Sequence, residues 1–171
     1  TALVFCRAPG LAIPDNLPAG VDDSMAVTFN GTILDLDVSI KAPHTWVGDT
    51  KFTLKRGAAG TPVALIDRPG VPTTVNGCSN DDIDVRVNDE GTDGSVENVC
   101  AATPPAIGGN RTGGATLGNT TLLAAFDTLA IQETWTLNAS DSVSQDSGTV
   151  LEWCRFREGG GLGEPQAVQL L

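Results

Sequence analysis

The only histidine in the chain, His44, opens the run His44-Thr45-Trp46-Val47-Gly48-Asp49. A Ser-His-Asp hydrolase needs a base, and His44 is the only imidazole on offer. The rest of that machinery is missing: there is no Gly-x-Ser-x-Gly elbow, and no His-Glu-x-x-His pair to hold zinc. A base without a nucleophile and an orienting partner reads as a structural histidine, hydrogen-bonded at a loop. Paired carboxylates are the second kind of chemistry to weigh, since two carboxyls about 5–10 Å apart can hydrolyse a glycoside. The chain has 21 Asp and Glu, yet nothing singles out such a pair. Tyr is absent, and Trp135 and Trp153 sit in strand patterns that place them in a core. Trp46 is then the one ring expected at a surface, and a glycan- or matrix-binding module using it is the alternative reading. The chain is not expected to be an enzyme.

Calcium is the sharper chemical expectation. It takes six to eight oxygen ligands from carboxylates, amides and carbonyls on irregular backbone. Three acidic groups could supply them: Asp15-Asn16 with Asp22-Asp23, the Asp81–Glu90 run, and Asp141 with Asp146; the candidate ligands are Asp15, Asp22, Asp49, Asp82, Asp84, Asp89 and Asp146. None has EF-hand spacing. The competing reading is that these aspartates cap turns or face solvent.

The elements that must position these residues are short strands. Leu34, Leu36, Val38 and Ile40 alternate with Asp35, Asp37, Ser39 and Lys41, a period of two with one face buried. Strands are also expected at 2–6, 25–29, 51–55, 61–67, 83–87, 134–139 and 149–157. Asn30-Gly31 is a hairpin-turn signal, and the His44–Asp49 run reads as a second hairpin connection. Residues 101–121, rich in Ala, Gly, Pro and Thr, read as a surface loop, and 122–129 as a short helical turn. Eight or nine strands with turns between them imply an all-β sandwich over residues 1–157, with 158–171 as a tail or linker.

Composition narrows the function. With 10 Lys and Arg against 21 Asp and Glu the net charge is −11, which repels phosphate backbones and makes nucleic acid an unfavourable partner. No apolar run reaches the length of a membrane span. Four widely spaced cysteines without a CxxC pair point to disulfides in an oxidising compartment rather than to a zinc ribbon. They allow three connectivities. Cys6–Cys154 and Cys78–Cys100 are chosen, because Cys6 and Cys154 lie in the first and last apolar segments, and Cys78 and Cys100 bracket one acidic region. Each bridge stabilises by about 3–5 kcal/mol on the loop-entropy argument.

Four stretches carry a resemblance. Ile13-Pro14-Asp15-Asn16, His44-Thr45-Trp46-Val47-Gly48-Asp49, Thr134-Trp135-Thr136-Leu137 and Asp146-Ser147-Gly148-Thr149-Val150-Leu151-Glu152-Trp153 resemble, in order, the motifs of the P domain (P/Homo B domain) of proprotein convertases and bacterial secreted proteases. The chain departs from that pattern at Thr50, where leucine is usual, and at Gln132-Glu133-Thr134-Trp135, where a Gly-x-Trp-x-Leu approach is usual. The resemblance implies a secreted jelly roll and a non-catalytic companion of a covalently linked subtilisin-like or metalloprotease domain, which it stabilises or regulates. It raises the expectation of Ca2+. It also makes His44, Trp46, Gly48, Trp135 and Trp153 motif residues of structure rather than of catalysis.

Overall fold

The computed structural model describes residues 3–114, 122–157 and 166–169. Twelve strands occur among them: β1 (Leu3–Arg7), β2 (Leu11–Ile13), β3 (Leu17–Val27), β4 (Leu36–Ala42), β5 (Thr50–Arg56), β6 (Val63–Asp67), β7 (Ile83–Val87), β8 (Ile107–Arg111), β9 (Glu133–Asp141), β10 (Gly148–Val150), β11 (Glu152–Arg157) and β12 (Gln166–Gln169). One sheet has the order β12-β1-β11-β4-β7-β8, a second β3-β9-β5-β6, and β10 pairs with β2 in a two-stranded piece. The architecture is an all-β sandwich. Its strand count exceeds eight or nine because β2, β8, β10 and β12 are short and lack alternation. Of the stretch 158–171, only β12 is described, running parallel to β1.

Alternation drives the fold wherever one face is wet. Val38 and Ile40 of β4, Phe52 and Leu54 of β5, and Trp135 and Leu137 of β9 are all buried between the sheets. Trp135 and Trp153 are fully buried, and Phe126 meets Trp135 edge-on at 5.0 Å between centroids. Such rings contribute large apolar area and a geometry-dependent attraction. Two polar groups join the sheets through this core. Asp23 on β3 accepts two hydrogen bonds from Arg7 on β1, at 2.8 and 2.9 Å, and one from Trp153 Nε1 at 2.7 Å. Arg155 is buried with its guanidinium 4.0 Å from the Trp135 ring centre and 5.3 Å from that of Phe5. Burial pulls its pKa down to about 9, and Arg56 adds to the fall.

Several local expectations are corrected. Leu34 is 54% exposed and precedes β4, and Phe29 is 44% exposed beyond the end of β3. Asn30-Gly31 is not a hairpin turn, because β3 and β4 belong to different sheets. For the same reason His44–Asp49 is no hairpin but a crossover from one sheet to the other. Residues 107–111 of the expected surface loop form β8, which pairs in parallel with β7, while 115–121 lie outside the described residues.

The disulfides are Cys6–Cys154 and Cys78–Cys100. The first joins directly opposed residues of β1 and β11. The second ties the loop after β6 to the segment before β8. Two bridges suit an oxidising compartment. No helix among the described residues is long and apolar enough to cross a membrane.

Candidate functional site

At the end of β4 the chain leaves the six-stranded sheet, makes a 3-10 turn at Val47–Asp49, and enters β5. Thr50 Oγ1 donates to Val47 O at 2.7 Å and closes the turn. Two glycines let other backbone approach. A Cβ on Gly48 would lie 2.4 Å from Cys78 N, and one on Gly148 would lie 2.5 Å from Pro43 O and from His44 Cδ2. The crossover is thus clamped between the loop after β6 and β10.

His44 and Asp141 form the centre of this clamp. Both side chains are fully buried, with His44 Nε2 3.1 Å from Asp141 Oδ2. His44 Nδ1 accepts the Trp46 backbone N–H at 3.1 Å. That assignment leaves the ring proton on Nε2, donated to the carboxylate. Asp141 Oδ1 accepts the Val143 N–H at 2.9 Å. The backbone of His44 is held as well, its N–H by Asp82 Oδ1 at 3.2 Å and its carbonyl by Asp82 N at 3.0 Å. Both ring nitrogens are committed, and neither faces a Ser, Thr or Cys nucleophile among the described residues.

Beside the clamp lies a cleft of about 200 Å3 lined by Trp46, Asp49, Asn76 and residues 143–146. Trp46 is half-buried, and its Nε1 donates to Asn76 O at 2.7 Å, which fixes the ring. Asp49 is 3% exposed. Its carboxylate takes no hydrogen bond among the described residues, and Arg68 approaches it at 3.6 Å. Burial first, then the charge of Asp141, pushes the Asp49 carboxyl above its usual range, while Arg68 opposes the shift. Asp146 Oδ1 accepts from Thr45 Oγ1 at 2.8 Å.

The other expected metal ligands are dispersed. Asp15 accepts the Gln145 N–H at 3.0 Å, and Asp22 accepts from Asn138 Nδ2 at 2.8 Å. Asp84 is exposed and 3.8 Å from Lys41. Asp89 receives the N–H groups of Leu123 and Ala124, at 3.1 and 2.8 Å, at the start of a 3-10 turn. Asp49 and Asp146 share the cleft.

The carboxylates that do converge take Glu90 from the expected acidic run and join it to Asp35 and Asp37, which belong to no expected group. At the start of β4, Asp35, Asp37 and Glu90 bring one oxygen each within 4.8 Å of one another. Arg86 pairs with Asp37 through Nε at 2.9 Å and through a terminal nitrogen. Desolvation and then the charge of Asp35 raise the Glu90 carboxyl; Asp127 is raised likewise by desolvation, Asp35 and Asp89. An all-oxygen set of this kind suits Ca2+ or Mg2+, not zinc. Its sequence signal was present in Asp35 and Asp37 on one side of a strand pattern and in the acidic run ending at Glu90. What was missing was the β4–β7 register, Val38 opposite Val87, which brings 88–90 beside 35–37.

One further carboxyl is unusual. Glu97 is 7% exposed, accepts the Asp67 N–H at 2.7 Å through Oε1, and is pushed up to about 8, chiefly by burial.

No family model matches the chain, and no curated protein matches it. Solved structures do. A crystal structure of the serine protease of Aeromonas sobria matches with a TM-score of 0.54 over 92% of this chain, at 12% identity. A crystal structure of that serine protease in complex with the chaperone ORF2 matches with a TM-score of 0.53 at the same coverage and identity. In both, this chain spans 26% of the matched chain, so the likeness shows a shared fold with about a quarter of it.

Proposed function

We propose that this chain is a non-catalytic accessory module of a secreted protease, of the P-domain kind, which packs against a covalently linked catalytic domain and stabilises it. The observation that carries the reading is the fold likeness, which runs over 92% of this chain and falls within a longer serine protease chain. The motifs that resemble P domains support it from a different side. His44, Gly48 and Gly148 build the crossover clamp, while Trp135 and Trp153 fill the core. A histidine with both nitrogens engaged suits a structural role. The disulfides fit secretion.

Ca2+ belongs to this proposal, at Asp35, Asp37 and Glu90. Their oxygens lie close enough to share one ion, and neutralising them would relieve the charge of Asp35 that, after desolvation, raises Glu90. Extracellular modules bind Ca2+ at about 10⁻⁴–10⁻³ M, so occupancy would follow the ambient concentration.

Two experiments test the reading. The coding sequence flanking this chain should encode a protease, and deleting the module should shorten the activity half-life of that protease on heating. An unchanged half-life overturns the accessory role. A melt in EDTA, then with CaCl2 and MgCl2 in series, tests the ion. Binding to the native state at a hundredfold the dissociation constant adds about 2.7 kcal/mol. A saturable rise that is selective for Ca2+ is expected, and a flat series removes the metal.

A further inference from the structure

The loop that follows β6 folds back over the molecule, and one buried carboxyl holds it down. We propose that Glu97 is the latch of a pH-operated strap. With its carboxyl neutral, residues 70–77 stay closed over the cavity beneath them; with it ionised they lift, admit water and release the Trp46 ring.

Four observations lead there. First, Glu97 touches both sides of the closure. Its Oε1 accepts the Asp67 N–H at 2.7 Å at the end of β6, and its backbone carbonyl accepts the Gly70 N–H at 2.9 Å on the strap. Second, Oε2 of the same side chain is buried and has no hydrogen-bond partner, in a residue that is 7% exposed. That burial is tolerable for a neutral carboxyl, whose proton Oε2 carries because Oε1 accepts. An ionised oxygen in the same place demands a donor or water. Third, the space that would hold water adjoins it. A cavity of about 260 Å3 is lined by Gly70, Thr74, Gly77, Glu97, Val99 and the Cys78–Cys100 bridge. Fourth, the strap is the yielding wall. Residues 72–76 are all exposed, Val75 by 88%, so lifting them gives up little apolar burial. Cys78 stays bonded to Cys100, which bounds the movement. Asn76 O holds Trp46 Nε1 at 2.7 Å, so a lifted strap lets go of that ring.

The direction follows from what faces Glu97. Burial is the largest influence and raises its carboxyl; the Asp67 N–H and Lys51 on β5 favour ionisation, and the Asp67 carboxylate on β6 opposes it. Lys51 is itself 3.1 Å from Asp67. The cavity wall adds no other titratable side chain, since both its cysteines are bonded. The carboxyl, ordinarily at 4.5, is held up to about 8 while the strap is closed. Lifting removes the burial and returns it toward its ordinary range. The closed form is therefore fully favoured below about pH 4.5 and loses that advantage as pH rises to about 8. Across the window the ratio of lifted to closed strap grows by roughly a thousandfold.

The test needs no protease, so its failure is distinct from failure of the accessory reading. Amide hydrogen exchange is measured on the intact 171-residue chain and on Glu97→Gln, which keeps an acceptor for the Asp67 N–H and cannot ionise. In the parent, protection of the Gly70 amide should fall by roughly a hundredfold from about pH 5 to about pH 8, beyond the base catalysis of free amides. In Glu97→Gln that excess should vanish. At about pH 8 the Gly70 amide of the parent should also exchange at least roughly tenfold faster than the β9 amides, once both are corrected for base catalysis. Indole emission should move to the red over the same window in the parent only, reporting Trp46, since Trp135 and Trp153 are fully buried. Equal Gly70 protection in the two proteins at every pH overturns the proposal. So does loss of Gly70 and β9 protection in step, which would mean that the whole domain opens rather than the strap. If Glu97→Gln fails to fold, the parent decides alone: a Gly70 rate that follows free-amide catalysis with no excess overturns the latch.

Discussion

The two ends of β4 carry two carboxylate clusters that solve the same problem differently. Beyond Ala42, Asp141 is fully buried but has His44 on one oxygen and the Val143 N–H on the other. Before Val38, Asp35, Asp37 and Glu90 crowd within 4.8 Å, with Arg86 on Asp37, and the Glu90 and Asp127 carboxyls are raised, first by desolvation and then by the charge of Asp35. A buried carboxylate with a donor on each oxygen is a structural pin, and removing its partner is costly. A crowded set whose members push one another toward protonation is instead a place where neutralisation is favourable. One end of the strand resists change, and the other is where we propose a cation.

The comparison can be broken first at the pin. His44→Ala leaves Asp141 buried against a void, and stability measured by urea unfolding should fall by about 3–5 kcal/mol. A loss below about 1 kcal/mol would mean that Asp141 is served equally well by water.

Glu97 isolates the effect of burial on a carboxyl outside both clusters. Its usual value is 4.5 and it is raised to about 8, so the folded state holds a proton that the unfolded state has released. The unfolded state binds fewer protons in that window, so stability falls as pH rises from about 4.5 to about 8. Glu97→Gln should flatten that slope and stabilise the chain at pH 9 by a few kcal/mol relative to the parent. Parallel pH curves for the two proteins would remove Glu97 as the titrating group.

Gly148→Ala is the next largest expected effect. A methyl there meets Pro43 O and His44 Cδ2 at 2.5 Å, so the crossover must shift, at about 1–3 kcal/mol. Calorimetry that finds no change would show the clamp to be compliant. The smallest effect belongs to the other end. Glu90→Gln in EDTA should raise stability by a few tenths of a kcal/mol, since Glu90 is exposed and its repulsion is screened. With CaCl2 present the same variant should lose the gain of the parent. A loss of stability in EDTA would make the carboxylate a local partner rather than a repelled one.

Much of the fold was legible because amphipathic strands announce themselves. The alternation at 83–87 is β7, and the pattern around Trp135 and Leu137 is the inner face of β9. Short strands without alternation were not legible. β8 reads Ile-Gly-Gly-Asn-Arg, and its strand character comes from hydrogen bonds to β7. The site was legible only in part. His44, Trp46 and Asp49 are contiguous and drew attention together. Their partners arrive from 19 to 97 residues away, Arg68 and Asn76 from loops and Asp141 from the end of β9, and nothing local marks any of them as a partner of this run.

What the sequence determined by itself was the class of molecule: an acidic, two-bridge, all-β chain whose apolar residues recur with period two. Those properties are local or additive, so they survive without knowledge of which strands pair. The tertiary structure alone decided which carboxylates meet. Asp89 was spent on capping a 3-10 turn while its neighbour Glu90 joined Asp35 and Asp37, a choice set by the register of β4 against β7. It also turned an apparent hairpin into a crossover, because strands adjacent in the chain were recruited to different sheets. Register and sheet membership are settled by the packing of the whole core, and no short stretch of sequence holds that information.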